Sequence, residues 1–157
     1  MLKAVVAKIK SALSAVPPKK AALLTLALLC MTLPFVFYRP AGAVLRIEGA
    51  SYRLQIASTE AARQTGLGGR ATIPENTGML FMFSKPAIEC FWMKDMRFPL
   101  DIIWVNAQKR VVHIEQHVSP DTYPSTFCPN TPAAYAIELR AGEVVKRHIV
   151  LEQKLDF

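Results

Sequence analysis

Cysteine is scarce in this chain. It has 157 residues and only 3 Cys, at Cys30, Cys90 and Cys128. No Cys-x-x-Cys pair occurs, which argues against thioredoxin-like chemistry. Acidic residues are missing from the first 43 positions, where Lys3, Lys8, Lys10, Lys19, Lys20 and Arg39 stand alone. The formal charge of +7 therefore comes almost entirely from this leader, and the remainder carries nearly balanced charge. A nucleic-acid-binding domain needs its own basic stripe to neutralise phosphates, so no nucleic-acid partner is expected. The sequence also lacks Gly-x-Ser-x-Gly, His-Glu-x-x-His and Walker motifs. Gly66-x-Gly68-Gly69 follows a helical pattern rather than a strand, which argues against a phosphate cradle. There is no internal repeat and no low-complexity tract.

What is present begins with a leader. From Ala21 to Phe37 the chain is apolar apart from Thr25 and Thr32. As a helix this run rises about 26 Å, at the short end of a bilayer span. Lys19-Lys20 precede it, so the positive-inside rule places the N-terminus in the cytoplasm and the rest of the chain outside. Pro34 ends or kinks the helix. Ala41 and Ala43 form a small-x-small pattern, so residues 1–43 read either as a signal peptide cut after Ala43 or as a retained anchor. The expected location is the periplasm, or the outer face of the inner membrane. Cys30 lies inside the apolar run and reads as a buried apolar side chain.

Residues 44–157 suffice for one small core. Val44–Ile47 and Tyr52–Ala57 flank Gly49-Ala50-Ser51 and read as a hairpin. Residues 58–67 form a helix candidate, capped by Ser58 or Thr59 and ended by Gly66. Met79–Phe83 is an apolar run typical of a strand covered on both faces. Ser84–Ala87 reads as a turn and Ile88–Met93 as a resumed strand. Leu100–Val105 and Arg110–Val118 make a second hairpin. In it, strict alternation puts Val111, His113, Glu115 and His117 on one face. Ser119–Pro132, with four prolines and Cys128, is a long irregular link of the kind that is functional or crosslinked. Ala133–Leu139 reads as a strand, Glu143–His148 as a short helix and Ile149–Leu155 as a last strand. The fold class is mostly β, a β-rich α+β domain with one or two short helices, preceded by an N-terminal apolar helix.

Several of these stretches together resemble the DUF192 (UPF0127) family of bacterial and archaeal proteins. They are Ile56-Ala57, Glu60, Arg63-Gln64-x-Gly66-Leu67-x-x-Arg70, Gly78-Met79-Leu80-Phe81 and Phe91-Trp92-Met93-Lys94. Pro99-Leu100-Asp101-Ile102, Cys128-Pro129, Tyr135-Ala136-Ile137-Glu138-Leu139 and Gly142 complete the pattern. The resemblance spans about Leu45 to Leu151 and implies a small, mostly β, barrel-like domain with short helical pieces. It implies no established activity and no cofactor. Where many members have a small or Arg-like residue before Phe-Trp-Met, this chain has Cys90.

Candidate chemistry rests on few residues. Cys90 and Cys128 are either disulfide-bonded or two unpaired thiols, with a redox or catalytic thiol as a third reading. A bond between them would close a loop of nearly forty residues and contribute about 3–4 kcal/mol. Met79, Met82, Met93 and Met96 show Met-x-x-Met spacings that suit Cu(I), set against a plain core role. His113, His117 and His148 read as surface residues. Asp101 and Glu138 are single acids inside apolar stretches and must be paired or hydrogen-bonded if buried. The leading expectation is an exported domain binding a small molecule or an envelope protein, through a pocket near Trp92, Asp101, Cys128 and Glu138. The alternatives are a hydrolase-type enzyme using Asp101, Glu138 or Cys128, and a periplasmic copper-binding protein.

Overall fold

The structure is a computed structural model that describes residues 42–157. The apolar leader helix, the signal or anchor reading of residues 1–43 and Cys30 fall on or largely within residues 1–41, outside the described residues. Among the described residues no helix is long and apolar enough to cross a membrane.

A six-stranded sheet is the centre of the domain. Its strands are β1 (Gly42–Ile47), β2 (Ala50–Ala57), β3 (Thr77–Ala87), β5 (Leu100–Val105), β6 (Val111–Val118) and β8 (Ala133–Arg140). The spatial order is β1-β2-β3-β8-β5-β6. A separate two-stranded ribbon pairs β4 (Phe91–Trp92) with β7 (Thr126–Phe127). Two short helices, α1 (Glu60–Thr65) and α2 (Glu143–Lys146), complete the fold with a 3-10 turn at Pro120–Thr122.

The β1–β2 hairpin turns at Glu48 and Gly49, both at positive φ, and its strands pair antiparallel. β2 and β3 are parallel, and a parallel pair needs a crossover. α1 and the loop after it supply that crossover. Thr59 caps α1 by accepting from the Ala62 amide at 3.2 Å, and Gly66 ends it. β5 lies between β8 and β6 with all six residues buried, as its near-continuous apolar run requires.

Each face of the sheet has its own core. Leu45, Tyr52, Leu54, Leu80, Ile103, Ile137 and Leu139 pack on one face with Val144, Ile149 and Leu155. Met79, Phe81, Ile102, Trp104 and Ala136 pack on the other with Ala57, Leu67, Ile73 and Met93. We call these the α2 face and the α1 face.

The sheet is open, not the closed barrel implied by the resemblance, since β1 and β6 do not pair with each other. Residues 153–156 bridge to both edges instead. The Arg46 amide donates to the Asp156 carbonyl at 2.8 Å, and the Leu155 amide donates to Lys109 at 2.9 Å. The expected last strand over 149–155 is therefore only two isolated bridges, Arg46↔Asp156 and Arg110↔Lys154. Three other local expectations change. Ser84–Ala87 continues β3 through an irregularity rather than turning. The strand expected over Ile88–Met93 shrinks to Phe91–Trp92. In β6 the register shifts between Val105 and Trp104, so Val111 joins the α2-face core while His113 packs on Trp104 at the other face. An extra residue in one strand reverses the side of everything beyond it. The β1 strand already contains Gly42 and Ala43, paired with Gln55 and Leu54, so the folded domain starts before position 44.

Candidate functional site

The four residues expected to share a pocket are not brought together. Asp101 and Leu139 are register partners, as are Ile102 and Glu138. Directly opposed residues share a face and successive residues alternate. Asp101 therefore projects to the α2 face and Glu138 to the α1 face, with the sheet between them.

Asp101 is fully buried and its carboxylate is occupied. Oδ1 accepts from the His117 amide at 2.9 Å, and Oδ2 accepts from the Val144 amide at 2.8 Å. Val144 is in the first turn of α2, whose cap Gly142 has no side chain to offer. Asp101 thus does the work of a cap from a distance. His117 sits at positive φ, where β6 departs from regular pairing, and this turns its amide toward Asp101. The acid pairs with backbone amides, not with an arginine.

Glu138 is only 6% exposed, and its Oε2 has no hydrogen-bond partner. It stands in a cross-strand row on the α1 face with Gln55, Met79, Ile102 and Glu115. Arg70 donates to Gln55 Oε1 at 2.8 Å. Burial pushes the Glu138 carboxyl up to about 8, offset in part by the charge of Arg70. Gly78 makes the close approach of β3 and β8 possible here. A Cβ at Gly78 would lie 2.3 Å from the Glu138 carbonyl oxygen.

Cys90 and Cys128 are joined in a disulfide, with Cα atoms 4.2 Å apart. They are the next opposed pair beyond Phe91↔Phe127, so the bond runs across the β4–β7 ribbon. The methionines divide between layers. Met79 and Met93 are buried in the α1-face core and Met96 packs at its edge, while Met82 is exposed opposite Tyr135. Among the described residues no group of three or more His, Cys, Asp or Glu is arranged to hold a metal ion. His113 binds Glu115 at 3.0 Å.

A concave feature lies elsewhere, between α1 and β4. It is a cleft of about 160 Å³. Phe81, Phe83 and Phe91 form its floor, Glu60 to Gly68 one wall, and Glu89 to Trp92 with Lys94 and Met96 the other. The floor is set by edge-to-face packing. Phe91 meets Phe81 at 4.8 Å and Trp104 at 5.4 Å between ring centroids. Trp104 also fixes the far wall, since its Nε1 donates to the Glu89 carbonyl at 2.9 Å. Arg63 fixes the near wall. Its guanidinium donates to the Ser58 carbonyl at 2.9 Å, to the Met82 carbonyl at 3.3 Å and to Glu60 at 2.7 Å. The hydrogen bonds from Arg63 and Gln64 hold the Glu60 carboxyl below its usual range. At one end the walls meet, where the Gly69 amide donates to the Asp95 carbonyl at 2.8 Å. A second depression beside it shares Gln64, Thr65, Gly68 and Lys94.

Trp92 stands on the rim, 50% exposed. Its ring lies 6.3 Å from Tyr123 edge-to-face, and Lys94 Nζ sits 5.9 Å from its centroid. Of the expected site residues, Trp92 lines this cleft and Cys128 reaches it through Cys90. Asp101 and Glu138 do not line it. Gln64, Phe83 and Lys94 also line the cleft, and none of them stands out in the sequence as a site residue. The available signal was that Arg63–Arg70 and Phe91–Lys94, two stretches carrying the family resemblance, face each other across one cleft.

An open, mixed sheet with an α1 crossover and a rim tryptophan beside an aromatic-floored cleft defines a small β-rich domain. The chain belongs to the DUF192 family, described as an uncharacterized group, whose model matches residues 43–157. Two solved structures share the fold. One is a protein of Sinorhizobium meliloti described as a proposed transcription regulator, 24% identical, with a TM-score of 0.67 over 72% of this chain and 89% of that one. The other is a protein of unknown function from Novosphingobium aromaticivorans, 24% identical, with a TM-score of 0.66 over 74% of this chain and 84% of that one. At this identity the likeness concerns the fold alone. No curated protein sequence matches the chain significantly.

Proposed function

We propose that the domain is an exported module that binds a small molecule in the cleft between α1 and β4. The convergence of Arg63–Gly68 and Phe91–Lys94 on this cleft, with Trp92 half-exposed at its rim, carries the reading. A half-exposed indole beside phenylalanines gives up apolar area to water that a flat ligand would cover. Lys94 makes no ion pair among the described residues and overhangs the indole, so it suits an anionic group on that ligand. Arg63 is already engaged and serves as a strut. The ligand class is an apolar or aromatic body with one negative charge. The extracytoplasmic location is supported by the basic-then-apolar leader and by a disulfide, which persists in oxidising compartments.

The test uses 8-anilinonaphthalene-1-sulfonate, which has both features. Titration is expected to saturate at one site. Trp92→Ala should weaken binding about tenfold, equivalent to about 1.4 kcal/mol, and Lys94→Gln by a smaller factor. Leu151→Ser removes an equally exposed apolar side chain elsewhere (59% exposed) and should leave the affinity unchanged. If Leu151→Ser weakens the probe as much as Trp92→Ala does, the dye reads general surface apolarity and the cleft assignment fails.

A further inference from the structure

The Cys90–Cys128 disulfide lies at the surface, in the wall of the cleft. Cys90 and Cys128 are both exposed, and Cys90 lines the cleft. The ribbon they join has two residue pairs and stands apart from the main sheet. A two-stranded ribbon of that length has no independent stability in water. Its two halves are also held unequally. The β4 half is fastened at Glu89 by the Trp104 indole and at Phe91 by two ring contacts. The β7 half belongs to the Ser119–Pro132 loop and is held by Phe127, which packs on the α1-face core, and by the disulfide itself. That same loop carries Tyr123 onto Trp92.

We propose that the Cys90–Cys128 bond is a thiol–disulfide exchange site for a dithiol reductant, and that opening it releases the Tyr123 loop from the Trp92 rim of the cleft. A thiolate of the dithiol attacks Sγ of Cys128. The Cys90–Cys128 bond breaks, and its electron pair leaves on Sγ of Cys90 as a thiolate. The second thiol of the reductant, once deprotonated, attacks the mixed disulfide and expels Cys128 as a thiolate. The reductant becomes a disulfide, and the protein gains two electrons and, after protonation of both sulfurs, two protons. Cys90 is the leaving sulfur because its strand is the anchored half, held at Glu89 by the Trp104 indole and at Phe91 between two rings. Attack at Cys128 also places the mixed disulfide on the loop that carries Tyr123. The effect on ligand affinity rests on the cleft reading above; the exchange itself does not.

The experiment equilibrates the protein with rising ratios of reduced to oxidised dithiothreitol. Free thiols are alkylated and counted by intact mass, beside tryptophan emission, far-ultraviolet circular dichroism and dye titration. Cys90→Ser/Cys128→Ser serves as the permanently open form. The expected result is a single two-electron transition with the β-sheet signal retained. The emission should shift to the red, and the shift should vanish in Trp92→Phe because Trp104 stays buried. Dye affinity should fall at least fivefold, and the double serine variant should match the reduced protein in emission and affinity. Three results would overturn the proposal: sulfurs that resist alkylation until denaturant is added, collapse of the sheet signal on reduction, or a double serine variant with the emission of the oxidised protein. Should the oxidised protein not bind the dye at all, the cleft reading falls, while mass and emission still decide the exchange.

Discussion

Replacing Glu138 by glutamine isolates one buried ionisation in the core. The carboxyl titrates at about 8 in the folded domain, against a reference value of 4.5. Between those values the folded state holds a proton that the unfolded state has lost. The contribution of this group to stability is therefore complete below about 4.5 and is lost as the pH climbs toward 8. Each pH unit in that window costs about 1.4 kcal/mol, so raising the pH from 5 to 8 removes about 3.5 kcal/mol. That is a large part of the 5–15 kcal/mol that holds a typical domain together. The side chain of E138Q would keep the shape and could not ionise. Its amide introduces a fixed cost in the same site, but that cost does not vary with pH. The quantity to measure is the difference in urea unfolding free energy between E138Q and the native protein, at pH 5, 6, 7 and 8. Taking the difference cancels every other titrating group common to both. It should move in favour of E138Q by about 1 kcal/mol per pH unit or slightly more over this range. A difference that stays flat from pH 5 to 8 would refute the argument and would mean that Arg70 or penetrating water keeps Glu138 ionised throughout.

Two further substitutions test the architecture. Gly78→Ala forces a methyl group against the backbone oxygen of Glu138 and against Leu139. Backbone cannot yield as a side chain does, so a loss of about 3 kcal/mol is expected in urea unfolding; a loss under about 0.5 kcal/mol, the range of an ordinary surface change, would show that β3 and β8 are not so closely apposed. Asp101→Asn turns one acceptor into a donor facing the Val144 amide and should cost about 2–3 kcal/mol. The native remainder of that variant should bind the dye with unchanged affinity, since the sheet separates Asp101 from the cleft; a lower affinity would contradict that separation.

The regular elements were legible because their signals are local. Tyr52, Leu54 and Ile56 alternate with polar residues, and Thr59 and Gly66 bracket α1 at the positions a cap and a terminator require. The parallel β2–β3 pairing was not legible, because which strands become neighbours depends on contacts distant in sequence. The faces of β6 were misread for a related reason. Alternation holds only while the register does, and nothing in Val111–Val118 announces that this strand carries one residue more than β5 in each of two places. Asp101 and Glu138 look alike in the sequence, one acid each within an apolar run. Only the register Asp101↔Leu139 and Ile102↔Glu138 tells them apart, sending one to the backbone amides of α2 and the other into the opposite core. The cleft escaped notice because neither wall is complete in one stretch. Arg63–Gly68 and Glu89–Lys94 become a site only when the crossover sets them face to face.

The bridges from residues 153–156 also impose an order of events on a newly made chain. Synthesis runs from the N-terminus, and the amide and carbonyl groups along the outer side of β1 and near the start of β6 find their partners only when Gln153, Leu155 and Asp156 arrive. Until then both margins of the sheet lie open, however complete its middle strands. A chain in that state is at risk, because open margins invite pairing with other chains. The contacts of residues 153–156 end that exposure at both margins together.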